Sequence, residues 1–215
     1  VFSNPAEFLL LVPPILFALT VHEWSHGYAA MRLGDPTARL LGRLTLNPLA
    51  HLDPLGTILL LLPPHFGWAK PVPVDDRYLS HPRRDMMWIA LAGPISNILL
   101  AIVFGTALRL LPLREMQSSG PIGSAGVYMV AMSVQLNLML AAFNMIPIFP
   151  LDGSRVLGGL LPAAQAERYH DFDQYGPMLL LGLVLLGSLS GVSVIGFLVS
   201  PFVRTVGSLV TGGIL

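Results

Sequence analysis

The chain contains no cysteine, which excludes disulfides, thiolate metal sites and a cysteine nucleophile. Charge is scarce too: Asp, Glu, Lys and Arg make up 11% of its 215 residues, against about 25% in ordinary soluble domains. The formal net charge is zero and no Lys/Arg-rich tract occurs, so nucleic acid is not an expected partner. Internal repeats and low-complexity tracts are absent as well. What the chain does have is apolar surface. Hydrophobic residues account for 53% of it and mean hydropathy is +0.69, too much for a water-compatible exterior, so the lipid bilayer is the expected surrounding.

Five stretches are long enough to cross a bilayer: residues 8–31, 86–111, 127–148, 176–189 and 192–210. The last two nearly touch at Ser190-Gly191 and read as a tight helical hairpin. A sixth apolar run, 55–62, is only eight residues long before Pro63-Pro64, and is expected to dip into the membrane or pack beneath it. Residues 67–75 carry Pro71 and Pro73 at alternate positions, which permits an extended edge strand but neither a helix nor a central strand. If 55–62 does not cross, loops 32–84 and 149–175 share one side. That side holds Arg32, Arg39, Arg43, Lys70, Arg77, Arg83, Arg84, Arg155 and Arg168, while the other holds only Arg109 and Arg114. Basic loops stay in the cytoplasm, so the N-terminus is expected outside.

Inside the first apolar stretch stands His22-Glu23-Trp24-Ser25-His26, an H-E-x-x-H motif. On a helix the two imidazoles share a face and can grip one zinc ion, with Glu23 beside the open position as general base. Ionisable groups at membrane depth are costly enough to be functional by default. A catalytic zinc usually takes three protein ligands and a water, so one ligand is missing. The other acidic residues, Asp35 and Asp85 among them, sit in polar, terminal or loop settings where solvation is expected. Asp152 differs: it follows a spanning segment, with apolar neighbours and Gly153 behind it, where Pro147 and Pro150 must end or unwind the helix. His22 lies nine residues before Met31, about 14 Å along a helix. Asp152 reaches it from the cytoplasmic side only if one crossing, 86–111, separates the two helices.

Gly93 and Asn97 share a helix face, and a small residue there permits close helix approach. Asn97 and Asn144 are amides at membrane depth, able either to donate to a developing oxyanion or to bond between helices. Asn137, on the face of Asn144, is expected to be structural. His51 and Asp53 fit a turn and cap at the interface, or an accessory metal or proton-relay pair. Trp68 and Trp88 suit interfacial anchors, Trp24 helix packing. His65, His81 and His170 are expected to be solvated.

These motifs together resemble the site-2 proteases, intramembrane zinc metalloproteases that cut transmembrane segments. The resemblance rests on His22-Glu23-x-x-His26, Gly93-x-x-x-Asn97 and Asn144-x-x-Pro147-x-x-Pro150-Leu151-Asp152-Gly153, in the right order across essentially the whole chain. It implies that His22, His26 and Asp152 ligate Zn2+, that Glu23 activates water, and that Asn97 and Asn144 handle substrate. Residues 67–75 look like the family's membrane-associated β region, thought to pair with an unwound substrate. Ser154 stands where many members have a second glycine, and on this reading residues 1–215 are expected to hold neither of the regulatory PDZ and cystathionine-synthase-like domains of other members. The expected fold is an all-α polytopic membrane protein of about five to six transmembrane helices, with a short re-entrant or interfacial segment and a small β region. Residues 1–215 form one intramembrane metalloprotease domain on this reading. Its place is the prokaryotic inner membrane and its substrates are transmembrane proteins or peptides. A transporter, or a relative that binds transmembrane helices without cutting them, is the competing reading.

Overall fold

The computed structural model describes residues 5–61 and 67–214. Among the described residues ten α-helices follow in order: α1 (Pro5–Arg32), α2 (Thr37–Leu40), α3 (Pro54–Leu61), α4 (Pro82–Leu110), α5 (Leu113–Ser118), α6 (Pro121–Asn144), α7 (Asp152–Leu160), α8 (Ala163–His170), α9 (Gly176–Ser190) and α10 (Val194–Thr211). Proline opens α3, α4 and α6, at the one helical position where its missing N–H costs nothing. Proline also stops α6. The residue before Pro147 cannot easily stay helical, so α6 ends at Asn144 rather than at Ile148, although the apolar run continues. Gly191, at φ 71°, turns the chain from α9 into α10 in a left-handed conformation that favours glycine.

Among the described residues five stretches are long and apolar enough to cross a membrane: Phe8–Arg32, Pro82–Leu110, Pro121–Asn144, Ala163–Ser190 and Val194–Thr211. They match the five expected from the sequence, the fourth now extended backward through α8. The eight residues of α3 rise only about 12 Å, well short of a ~30 Å hydrocarbon core. Leu62, the last residue of the sixth apolar run, and His65 lie outside the described residues.

Contacts along α1 and α4 set their relative direction. Phe17 meets Phe104, the Ala18 carbonyl meets Asn97, and His26 meets the Ile89 carbonyl, so the two helices run antiparallel. On its other side α4 packs against α6, where Ala101, Leu108, Val134 and Leu138 form a fully enclosed core joined by Val203, Val206 and Val210 of α10. Ile146, Leu151, Leu180 and Val199 form a second cluster beneath the turn after α6.

Three expectations change. Residues 67–75 are extended, but among the described residues they form no strand. One isolated antiparallel bridge, Leu52–Ala69, is present, supported by the Lys70 N–H donating to the His51 carbonyl at 2.8 Å. Pro71 and Pro73 lack the donors that would continue a ladder. Asp35 and Asp85 are buried rather than solvated. Asp35 accepts from the N–H and hydroxyl of Thr37 and from the distant Asp75 N–H, and Asp85 accepts from the His81 N–H, so hydrogen bonds compensate the desolvation of each. The short helices α2, α5, α7 and α8 lie within what the sequence presented as loops.

Candidate metal centre

His22 and His26 stand one turn apart on α1, both buried, with ring centroids 4.6 Å apart. Asp152 arrives at the first position of α7, carried there by the turn that Pro147 and Pro150 impose after α6. The two Nε2 atoms are 3.0 Å apart, and Asp152 Oδ2 lies 3.2 Å from that of His22 and 3.3 Å from that of His26. Gly93 makes room for this triangle. A Cβ there would sit 2.5 Å from His26 Cε1 and Nε2 and 2.6 Å from His22 Cε1. The α4 backbone therefore forms the wall behind both rings.

The outer ring nitrogens decide what the inner ones can do. His26 Nδ1 lies 2.7 Å from the Ile89 carbonyl, which can only accept, so Nδ1 carries the proton. His22 Nδ1 lies 2.6 Å from Asn97 Oδ1 in the same arrangement. Each ring then turns its Nε2 inward, the pattern of metal-ligating histidines. Asp152 Oδ2 has no donor of its own and is buried. Three acceptor atoms this close repel unless a positive charge, a proton or a metal ion, sits among them. A tetrahedral zinc with ~2.0–2.1 Å bonds needs donor atoms about 3.3 Å apart. The observed triangle fits that requirement, and these three side chains could hold one ion.

Glu23 lies beside the triangle, buried, and its Oε2 accepts the Val72 N–H at 2.9 Å. Val72 is the one residue of Pro71-Val72-Pro73 with an N–H to give, and its side chain packs over Gly27 of α1. The segment is pinned along its length. Arg43 Nη2 donates to the Lys70 carbonyl at 2.9 Å and the Pro71 carbonyl at 3.3 Å, and the Asp75 N–H donates to Asp35. Beyond the site, the Arg77 guanidinium holds the Asp75 carboxyl below its ordinary range. Residues 67–75 are thus a strap across the histidine helix.

The two amides fare differently from each other. Asn97 is fully buried behind His22. Its Nδ2 donates to Asn137 Oδ1 at 2.8 Å and to the Ala18 carbonyl at 3.3 Å, which leaves no hydrogen for an oxyanion. Both bonds are interhelical, one of the two roles open to it from sequence. Asn144 is half-buried at the end of α6 and donates to the Leu140 carbonyl at 3.0 Å. Asp53 Oδ1 accepts the Gly56 N–H and caps α3, and His51 is buried with Nε2 2.8 Å from the Thr45 carbonyl; neither joins the triangle. Trp24 stacks on Tyr28 along α1, while Trp68 and Trp88 are exposed. His81 and His170 are exposed, as expected. Sequence reasoning missed the Val72 N–H and the Arg43 clamp. The isolation of one donor between two prolines was the available signal.

Fold and site together define a polytopic helical membrane protein with a buried centre of two histidines and one carboxylate. The peptidase family M50 model matches residues 112–186, the part that contains Asp152. The "Putative zinc metalloprotease YwhC" of Bacillus subtilis is 39% identical over 180 residues, covering 83% of this chain and 82% of that protein. The "Putative zinc metalloprotease Rip2" of Mycobacterium tuberculosis is 30% identical over 193 residues, 86% of this chain and 70% of its own length. "Zinc metalloprotease MJ0392" of Methanocaldococcus jannaschii is 26% identical over 209 residues, 94% of this chain but 50% of its own length. No solved structure matches the chain significantly. The chain belongs to peptidase family M50, the site-2 protease family.

Proposed function

We propose that this protein hydrolyses peptide bonds of transmembrane substrates within the bilayer, with His22, His26 and Asp152 holding one zinc ion and Glu23 moving the protons. It is a zinc-dependent metalloendopeptidase by family. The observation that carries the residue assignment is the triangle of three potential ligand atoms at 3.0, 3.2 and 3.3 Å, with both outer ring nitrogens turned to oxygen acceptors.

Zinc held there supplies Lewis-acid polarisation of a peptide carbonyl and acidification of a water. The chain's own residues supply the rest. Asn97 and the Ile89 carbonyl fix both imidazoles in the tautomer that turns Nε2 inward. Glu23, steadied by the Val72 N–H, accepts the water's proton and returns it to the departing amine. The strap excludes water from one side of the site, and its extended backbone suits a substrate that has been unwound to expose its carbonyls. Asn144, half-buried at the end of α6, is the amide that meets substrate on this reading. Membership in a peptidase family and the intact Glu23 leave the transport reading without support.

In the proposed orientation the N-terminus is outside the bacterial or archaeal cytoplasmic membrane, and the Arg-rich loops and the strap face inward. The antiparallel α1 and α4 and the shortness of α3 support it.

Two measurements test this reading. Purified protein is expected to contain about one zinc per chain, reduced in His22→Ala, His26→Ala and Asp152→Ala. Glu23→Gln is expected to keep zinc and lose ~10²–10⁴-fold of its cleavage rate on a membrane-embedded substrate. Full zinc in the Asp152 variant would move the third ligand elsewhere, and normal cleavage by Glu23→Gln would sink the mechanism. For orientation, single cysteines can be placed without background because the native chain has none. Ser118→Cys is expected to react with a membrane-impermeant reagent on intact cells, and Thr45→Cys and Asp75→Cys only after lysis. External labelling at Asp75→Cys would show that the short run crosses after all.

A further inference from the structure

Behind His22 lies a chain of hydrogen bonds through three helices. It begins at the Ser133 carbonyl on α6, which can only accept. Asn137 turns its Nδ2 to that carbonyl at 2.8 Å, so its Oδ1 must face the other way, toward α4. There it accepts from Asn97 Nδ2 at 2.8 Å. With its amide hydrogens committed to Asn137 and Ala18, Asn97 can offer His22 Nδ1 only its oxygen. Both amides are fully buried, so no water competes for these positions. An amide is symmetric in shape, and a buried Asn97 alone could sit either way round. The reversed amide would present a donor to Nδ1, drive the ring proton to Nε2 and turn that atom from a ligand into a donor.

We propose that Asn137 is a positioning residue for the metal centre, the group that fixes the Asn97 amide and through it the His22 tautomer. This rests on His22 being a zinc ligand, and it assigns to α6 a second role besides delivering Asp152. Outer partners of metal-bound histidines are typically worth about 10–100-fold in metal affinity. Asn137 acts one bond further out, and the Ala18 carbonyl partly backs it up, so about 10-fold is expected.

The experiment measures zinc retained by the purified full chain against a graded chelator, with the Co2+-substituted absorption spectrum as a second readout of the ligand field. Asn137→Leu, close in shape and without polar atoms, is expected to lose zinc about 10-fold more readily. Asn137→Asp, protonated at this fully buried position, donates its O–H to the Ser133 carbonyl, keeps an oxygen toward Asn97 and is expected to recover most of that loss. In an Asn97→Leu background, where the chain of bonds is already cut, Asn137→Leu should add almost nothing. A merely structural role would weaken both backgrounds alike. Wild-type retention in Asn137→Leu, or an undiminished effect in the Asn97→Leu background, would overturn the proposal. His22→Ala, measured alongside, separates the two failures. If that variant keeps its zinc the ligand assignment is wrong, whereas if it loses zinc and Asn137→Leu does not, only the positioning role falls.

Discussion

The two walls of the site are built by different means. The helical wall, α1 backed by α4 and α6, holds its groups by side-chain spacing: His22 and His26 four apart, Gly93 and Asn97 four apart, Asn137 and Ser133 four apart. The strap at 67–75 is held by main-chain groups reaching distant side chains: Val72 N–H to Glu23, the Lys70 and Pro71 carbonyls to Arg43, Asp75 N–H to Asp35. The first wall sets the spacing of the His22 and His26 rings, and the second lies over the Glu23 carboxylate. A helix satisfies its own backbone, so its side chains are free to be specific. An extended segment in an apolar setting has no such internal bonding, and every buried N–H needs a partner from elsewhere.

The helical wall has almost no room to yield, so it is where the largest loss is expected. At Gly93 even one methyl group would sit 2.5 Å from His26 and 2.6 Å from His22, against rings already locked from behind. Gly93→Ala is expected to reduce zinc retention by more than the roughly 10–100-fold that a lost outer hydrogen bond costs, with helix content by circular dichroism unchanged. Gly105→Ala is the control. Its Cβ would crowd Val210 at 2.9 Å where α4 meets α10, far from the rings, so stability should fall while zinc stays. Equal zinc in wild type and Gly93→Ala would mean that α4 is not the rigid backing described.

That division also explains what the sequence made legible. Periodicity and hydropathy placed the five spans, because a helix repeats its face every turn and lipid demands an unbroken apolar run. The triangle was legible because His22 and His26 declare themselves by spacing, and Asp152 by proline-broken backbone at the end of a span. The end of α6 was misplaced because apolar Ile146 and Ile148 look like membrane, whereas backbone sterics before Pro147 had already ended the helix at Asn144. The burial of Asp35 and Asp85 was hidden because their partners are backbone N–H groups, which every residue type except proline carries. For the same reason the sequence could show that 67–75 is extended but not that it lies on Glu23. Asn97 could be placed at membrane depth, but which end of its amide faces His22 depends on Asn137, a contact between helices that spacing within one helix cannot supply.

The strap offers the smaller and sharper test. Because the hold on Glu23 is a backbone N–H, only proline can remove it while leaving the chain extended. Val72→Pro, between Pro71 and Pro73, deletes that donor. Val72→Ala keeps the donor and loses only the side-chain packing over Gly27. A hydrogen bond to a charged group is worth ~1.5–3 kcal/mol, so Val72→Pro is expected to lower kcat/KM on a membrane-embedded substrate by at least ~10-fold relative to Val72→Ala. Zinc content should be equal in the two, because the triangle does not touch the strap. If the two variants cleave equally well, the Val72 N–H contributes nothing to the reaction and the strap is only a cover. If Val72→Pro also loses its zinc, the two walls are one structure, and the separation between a wall that binds and a wall that positions the carboxylate is wrong.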